Sequence, residues 1–244
     1  MTDHATPRSG EAATPSPPAV VIFDVNETLS DMSPMATRFE DVGLPGHLAA
    51  TWFAGLLRDG FAQTITGSNP AFAELAQESL RGLLQGVAAD VDAATGHVMS
   101  GFAQVPLHPD VADGIRALQS SGLRLVTLSN GATAVAEGLL ERNGLRDAFD
   151  SLLSVQDAPA WKPAASAYRY ALESCEVAAA DAMLVAVHPW DIHGAHEAGL
   201  RTAWVNRTGR RYPSTMHRPD LEADSLTELA ALLSTPSTEG RARA

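Results

Sequence analysis

The residues of this chain that could do chemistry stand where apolar runs end. Asp24 and Thr28 close the run Ala19–Val25, Ser129 and Asn130 close Leu123–Ser129, and His188 and Asp191 follow Ala182–Val187. Lys162 lies in Trp161-Lys162-Pro163, just beyond a weaker run at Ser151–Val155. A carboxylate drawn partly out of water at the end of a buried strand is a usable nucleophile, and a hydroxyl such as that of Thr28 can fix its rotamer. Alone, Asp24 reads more readily as a strand-end acid that caps a turn than as a nucleophile. Ser129 and Asn130 precede a helix expected from about Ala132, whose free N–H groups and positive dipole end suit an anion. The bland alternative for Ser129 is a simple N-cap. Lys162 is the only lysine in the sequence. Pro163 biases it toward extended backbone and suits a first helical position, so the ammonium is expected at a loop end, where it would hold Asp24 ionised. Asp191 could orient Lys162 and place a hydrolytic water, or merely cap a helix.

Stepping outward, these residues need a scaffold that brings strand ends together. Continuous apolar runs at Ala19–Val25, Leu123–Ser129, Ala182–Val187 and Arg201–Val205 are the pattern of strands buried on both faces. Helical patterns alternate with them at Pro109–Ser121, Ala132–Asn143, Pro163–Glu173 and Gly194–Ala198. Strands alternating with helices predict an α/β fold, a doubly wound parallel sheet of the Rossmann-like kind. Ligands of such sheets bind beyond the carboxyl ends of the strands, which is where the polar residues lie. Between about Pro34 and His108 the alternation stops, and only helices are read, at His47–Gly60, Ala71–Gly86 and Ala89–Gly101. Leu48, Trp52, Leu56 and Leu57 share one helical face. The division that follows is a tail at 1–18, a core of 19–32 with 108–233, an all-helical cap domain at 33–107, and a tail at 234–244.

Composition sets the outer limits. The 244 residues carry 17 Lys and Arg against 29 Asp and Glu, a formal charge of −12. That sign argues against nucleic acid or an anionic membrane as partner. Hydrophobic residues at 45% supply a sizeable core. The one cysteine, Cys175, excludes an intrachain disulfide. No apolar run reaches the roughly 20 residues of a membrane helix, and the polar, Pro-rich start does not read as a signal peptide. A cytoplasmic protein with a small-molecule anionic substrate is expected, with room for a homodimer.

Four segments together resemble the haloacid dehalogenase superfamily, most of all its 2-haloacid dehalogenases. They are Phe23-Asp24-Val25-Asn26-Glu27-Thr28-Leu29 with Asp31, Ser129-Asn130-Gly131, Lys162-Pro163 with Tyr168, and Trp190-Asp191 with Gly194, Ala195 and Gly199. The resemblance covers about Val20 to Glu228 and includes the position of the helical insert. It implies hydrolytic dehalogenation of a short 2-haloalkanoic acid through an aspartyl ester, without a cofactor. It gives catalytic roles to Asp24, Lys162, Asp191 and Thr28, and substrate contacts to Ser129, Asn130, Asn26, His188, Tyr168 and Trp190.

The chain also departs from that pattern. Asn26 stands where metal-dependent phosphatases of the superfamily carry an acid, and Val187 stands where they carry another. An amide cannot donate a carboxylic proton, and the lost carboxylate is a hard Mg²⁺ ligand. Relative to the dehalogenases, Asn26 replaces Tyr, Glu27 replaces Gly, and Ala186 and His188 replace Ser and Asn. No Arg follows Trp52, where the family's cap supplies one. Arg58 and Arg38 are the candidate substitutes. His188 is expected to touch the substrate or the hydrolytic water. His188, His193 and His196 invite a metal reading, but no acid or cysteine is seen to complete the set, so no metal is expected. A relative opening a small cyclic amino acid at C2, a Mg²⁺-dependent phosphatase and a non-catalytic binding protein are the alternatives.

Overall fold

A computed structural model describes residues 17–234. The expected tails therefore lie outside the described residues, apart from Pro17, Pro18 and Ser234. The order of elements begins with β1 (Val20–Phe23) and then four helices, α1 (Met35–Glu40), α2 (Leu48–Ile65), α3 (Phe72–Leu84) and α4 (Val91–Phe102). The core resumes with α5 (Val111–Ser120), β2 (Arg124–Ser129), α6 (Thr133–Arg142), β3 (Ser151–Ser154), α7 (Ala165–Cys175) and β4 (Ala182–Ala186). It ends with α8 (Pro189–Glu197), β5 (Arg201–Val205), β6 (Leu221–Ala223) and α9 (Leu226–Ser234).

The strands form one six-stranded sheet in the order β3-β2-β1-β4-β5-β6, and every pair is parallel. Residues alternate between the faces of β1, and both faces are covered. Val20 and Ile22 pack in the cluster that holds Ala167, Tyr168, Ala171 and Ile192 of α7 and α8. Val21 and Phe23 pack with Ile115, Leu139 and Leu229 of α5, α6 and α9. That two-sided burial explains why β1 is apolar throughout rather than alternating. Strand order reverses direction at β1, between β2 and β4, so the crevice of a doubly wound sheet opens above Asp24.

The buried residues of the cap continue the cluster that covers Val20 and Ile22. Phe72, Ala76, Leu80 and Leu84, spaced by four along α3, are all buried. Trp52 packs edge-on to Phe102 at 6.2 Å, and Phe72 stacks on Phe102 at 5.5 Å. The cap is joined to the core by paired segments: Ser30 bridges Leu107 antiparallel, the Asp31 N–H donates to the Pro106 carbonyl and the His108 N–H to that of Leu29. Trp161 reaches from the core to stack on Phe72 at 5.7 Å, and its indole N–H donates to the Pro70 carbonyl. Gly60 is needed there, because a Cβ would collide with the Trp161 ring.

Some expectations are corrected. The helix read at Gly194–Ala198 starts at Pro189, which takes the first turn, with His188 at the N-cap position. Trp190 and Asp191 are therefore helical residues, not loop residues at a strand end. The reading also lacked α1, β6 and α9.

Candidate active site

Asp24 extends β1 by one residue, its N–H donating to the Val185 carbonyl of β4. Its carboxylate is 4% exposed. Thr28 turns back to donate to Oδ2 at 2.7 Å, while its own hydroxyl accepts the Val187 N–H at 3.1 Å. Lys162 Nζ donates to Asp24 Oδ1 at 2.9 Å and to Asp191 Oδ2 at 2.5 Å. Tyr168 donates to the other Asp191 oxygen at 2.6 Å. Lys162, Asp191 and Tyr168 are withdrawn from solvent altogether.

Burial raises the cost of every charge in this group, and the partners decide the outcome. For Asp24, burial pushes the carboxyl up, but Lys162, His188 and Thr28 together hold it below the usual carboxylate range. For Asp191, burial and the Asp24 charge outweigh Lys162 and push it up. Burial pulls Lys162 down, yet Asp191 and Asp24 hold it above its ordinary value. Burial and the Asp191 charge push the Tyr168 phenol well above the tyrosine range, so it stays a donor. The arrangement is an ionised Asp24 facing a charged lysine, with Asp191 behind them both.

The remaining expected residues fall into two groups. Asn26, His188 and Trp190 surround Asp24. His188 Nε2 lies 3.6 Å from Asp24 Oδ2 and 3.2 Å from the Asn26 carbonyl, and the ring stacks on Trp190 at 5.0 Å. Trp190 touches Phe61 of the cap and lies 5.9 Å from Lys162 Nζ. Asn130 and Tyr168, expected at the substrate, form hydrogen bonds within the protein. Both ends of the Asn130 amide clamp the Lys162 backbone, accepting its N–H at 2.9 Å and donating to its carbonyl at 3.2 Å. Tyr168 holds Asp191. The Ser129 hydroxyl accepts the Gly131 N–H at 2.9 Å, closing the turn ahead of α6.

A cavity of about 670 Å³ opens between core and cap, with Glu27, Val187 and His188 at its core side and Met35, Ala49 and Phe53 on the cap side. Arg58 and Arg38 do not line it. Arg58 pairs with Asp59 in solvent, and Arg38 lies against Gly101 with its guanidinium 3.5 Å from His97. The cavity's arginines are Arg207, Arg210 and Arg211, from the segment after β5. Sequence reasoning missed them, although Asn206-Arg207-Thr208-Gly209-Arg210-Arg211 directly follows a strand end. The histidine reading also changes. Glu197 and His217 join His193 in a cluster whose ligand atoms lie within 4.8 Å of one another, so an acid does complete a set there. His188 is not part of it, and His217 already pairs with Glu197 at 2.7 Å.

Comparison with known proteins now bears on this geometry. A family model described as haloacid dehalogenase-like hydrolase matches residues 18–199, more than half of the chain. The chain belongs to the haloacid dehalogenase-like hydrolases. Among relatives of this family is the (S)-2-haloacid dehalogenase of Pseudomonas sp. (strain YL), 28% identical over 219 residues, covering 88% of this chain and 94% of that protein. Another is haloacetate dehalogenase H-2 of Moraxella sp. (strain B), 25% identical, covering 87% and 96%. A solved dehalogenase with an intermediate complex superposes with a TM-score of 0.83 at 26% identity, over 90% of this chain and 99% of that one. A haloacid dehalogenase-like hydrolase thus carries Asp24, Lys162 and Asp191 in one buried network at the strand ends.

Proposed function

We propose that this hydrolase removes halide from short 2-haloalkanoic acids and releases 2-hydroxy acids. The observation that carries the reading is the buried Lys162 ammonium 2.9 Å from Asp24 Oδ1, with His188 of the cavity wall 3.6 Å from the other Asp24 oxygen. It keeps the carboxylate ionised without offering it water, the condition for attack on carbon. The names of the relatives support the same substrate class. Asp24 attacks C2 from the side opposite the halogen, halide leaves with the bonding pair, and configuration inverts. The Ser129 hydroxyl and the N–H groups opening α6 hold the substrate carboxylate. Water then adds to the Asp24 carbonyl carbon and the hydroxy acid departs. Lys162 and Asp191 keep the nucleophile and the water in place. No step runs through a metal, in keeping with Asn26 and Val187 at the positions where metal-dependent relatives hold acids.

A single turnover with enzyme in excess, in ¹⁸O water, tests the route. Ester chemistry puts the label into the peptide containing Asp24 and leaves the first product unlabelled. Label in the product, with Asp24 unlabelled, would mean that water attacks the substrate directly.

A further inference from the structure

Glu27 stands in the turn after β1 and His188 immediately ahead of α8. They are far apart in sequence, and the fold brings them together. His188 Nε2 lies 3.6 Å from Glu27 Oε2 and 3.6 Å from Asp24 Oδ2. The Asn26 carbonyl is 3.2 Å from the same nitrogen. A carbonyl oxygen can only accept, so the hydrogen bond to Asn26 places a proton on Nε2, with the two carboxylates just beyond hydrogen-bond distance of it. Glu27 also holds φ at 62°, in the left-handed region that favours glycine. A side chain kept at such a position is a pointer to function when its carboxylate reaches a reactive group. Its turn is fixed by the Glu27 N–H donating to Ser30 Oγ at 3.2 Å and by the His108 ring against the Glu27 carbonyl at 2.9 Å. Glu27 and His188 both line the cavity, and Asp24 Oδ2 is on their side of the nucleophile.

We propose that His188 is the acid and then the base of ester breakdown, and that Glu27 is the positioning residue that holds its proton at Nε2. The inference rests on the aspartyl-ester reading above. Asp24 Oδ2 forms the bond to C2 as halide leaves. Water adds to Asp24 Cγ, the Cγ–Oδ2 bond breaks, and the departing alkoxide takes the proton from His188 Nε2. Of the two protons the water brings, one returns to Nε2 and one passes to solvent, which leaves Asp24 a carboxylate. Alkylation at Asp24 Oδ2 makes the oxygen that must later leave the one that lies 3.6 Å from Nε2 in the resting enzyme. The charged groups around it are Asp24 and Glu27 from the turn after β1, Lys162 behind Asp24, and Asp191 on α8. Trp190 covers one face of the ring.

Rapid-quench kinetics with 2-chloropropionate tests this on His188→Gln, which cannot titrate, and on Glu27→Gln. His188→Gln should release one equivalent of chloride at the wild-type rate and then turn over about 10²-fold more slowly. The Asp24 peptide should then carry the ester mass. Its slow step should lose the pH dependence of the wild type. Glu27→Gln should show the same burst with a smaller loss of turnover, on the order of 10-fold, and Glu27→Asp should recover part of it. If the burst slows together with turnover, or neither rate changes, the inference is overturned. A wild-type enzyme that releases no chloride overturns the aspartyl-ester reading itself, a result distinct from either.

Discussion

The floor of the site and the wall of the cleft are built on opposite terms. On the floor, each carboxylate oxygen of Asp24 and Asp191 has a donor, and Asn130 fixes the backbone of the lysine that bridges them. Nothing there can move without stranding a buried charge. The wall is made of Met35, Ala49, Phe53, the largely buried Arg207 and the exposed Arg210 and Arg211 of the segment after β5, with a volume well beyond that of a three-carbon acid. The difference separates two tasks. The floor fixes what bond is broken, and the wall fixes which molecule reaches it. Relatives can share the first while differing in the second.

Substitutions on the floor should therefore cost far more than substitutions on the cap's exposed side. The largest loss is expected from Asp24→Asn, roughly 10⁴-fold or more in kcat, because a neutral amide is a poor nucleophile. Circular dichroism should show the fold retained. Lys162→Met strands two buried anions and should destabilise the protein by about 3–5 kcal/mol, read from urea unfolding, as well as abolish turnover. Acid should spare the ester-forming step for longer than an ordinary carboxylate allows. Asp24 is held below its usual range, so it stays ionised, and the step persists, to a lower pH than a free aspartate would allow. Stopped-flow chloride release between pH 3 and 6 (a range of about 3–6, bracketing the free carboxyl) checks this. The stability Asp24 contributes follows the same sign, present above the unfolded value and lost as pH falls through the folded one. Tyr168→Phe leaves one Asp191 oxygen unpaired and should cost about 1–3 kcal/mol in unfolding, with a smaller fall in kcat than at Lys162. Arg58→Ala should change kcat/KM by less than about twofold, since its exposed pair with Asp59 contributes little. A large loss there would make the cap's outer face part of substrate selection and undo the contrast.

Much of the floor was legible because strands buried on both faces write themselves as unbroken apolar runs, and the residue that ends each run is conspicuous. Asp24, Ser129 and Lys162 were found that way. What such reading cannot see is how a polar side chain is spent once the strands converge. Asn130 and Tyr168 have the types of substrate ligands, and the structure also gives each a partner within the protein, the Lys162 backbone and Asp191. The start of α8 was misplaced because Pro189, a helix opener at its first position, reads equally as a turn. β6 has three residues at the sheet edge, one of them the exposed Glu222, so no apolar run announces it. The cavity's arginines were missed because their role depends on a loop folding back over the strand ends.

The paired segments at Ser30 and Leu107 have a mechanical consequence. Two separate connections would let the cap swivel, whereas a two-stranded neck bends about one axis and resists twist. The neck begins at Leu29, directly after Thr28, whose hydroxyl binds Asp24 and whose carbonyl accepts from Arg207 at 3.1 Å. The connection that carries the cap is thus one peptide bond away from the hydroxyl that fixes the nucleophile's rotamer.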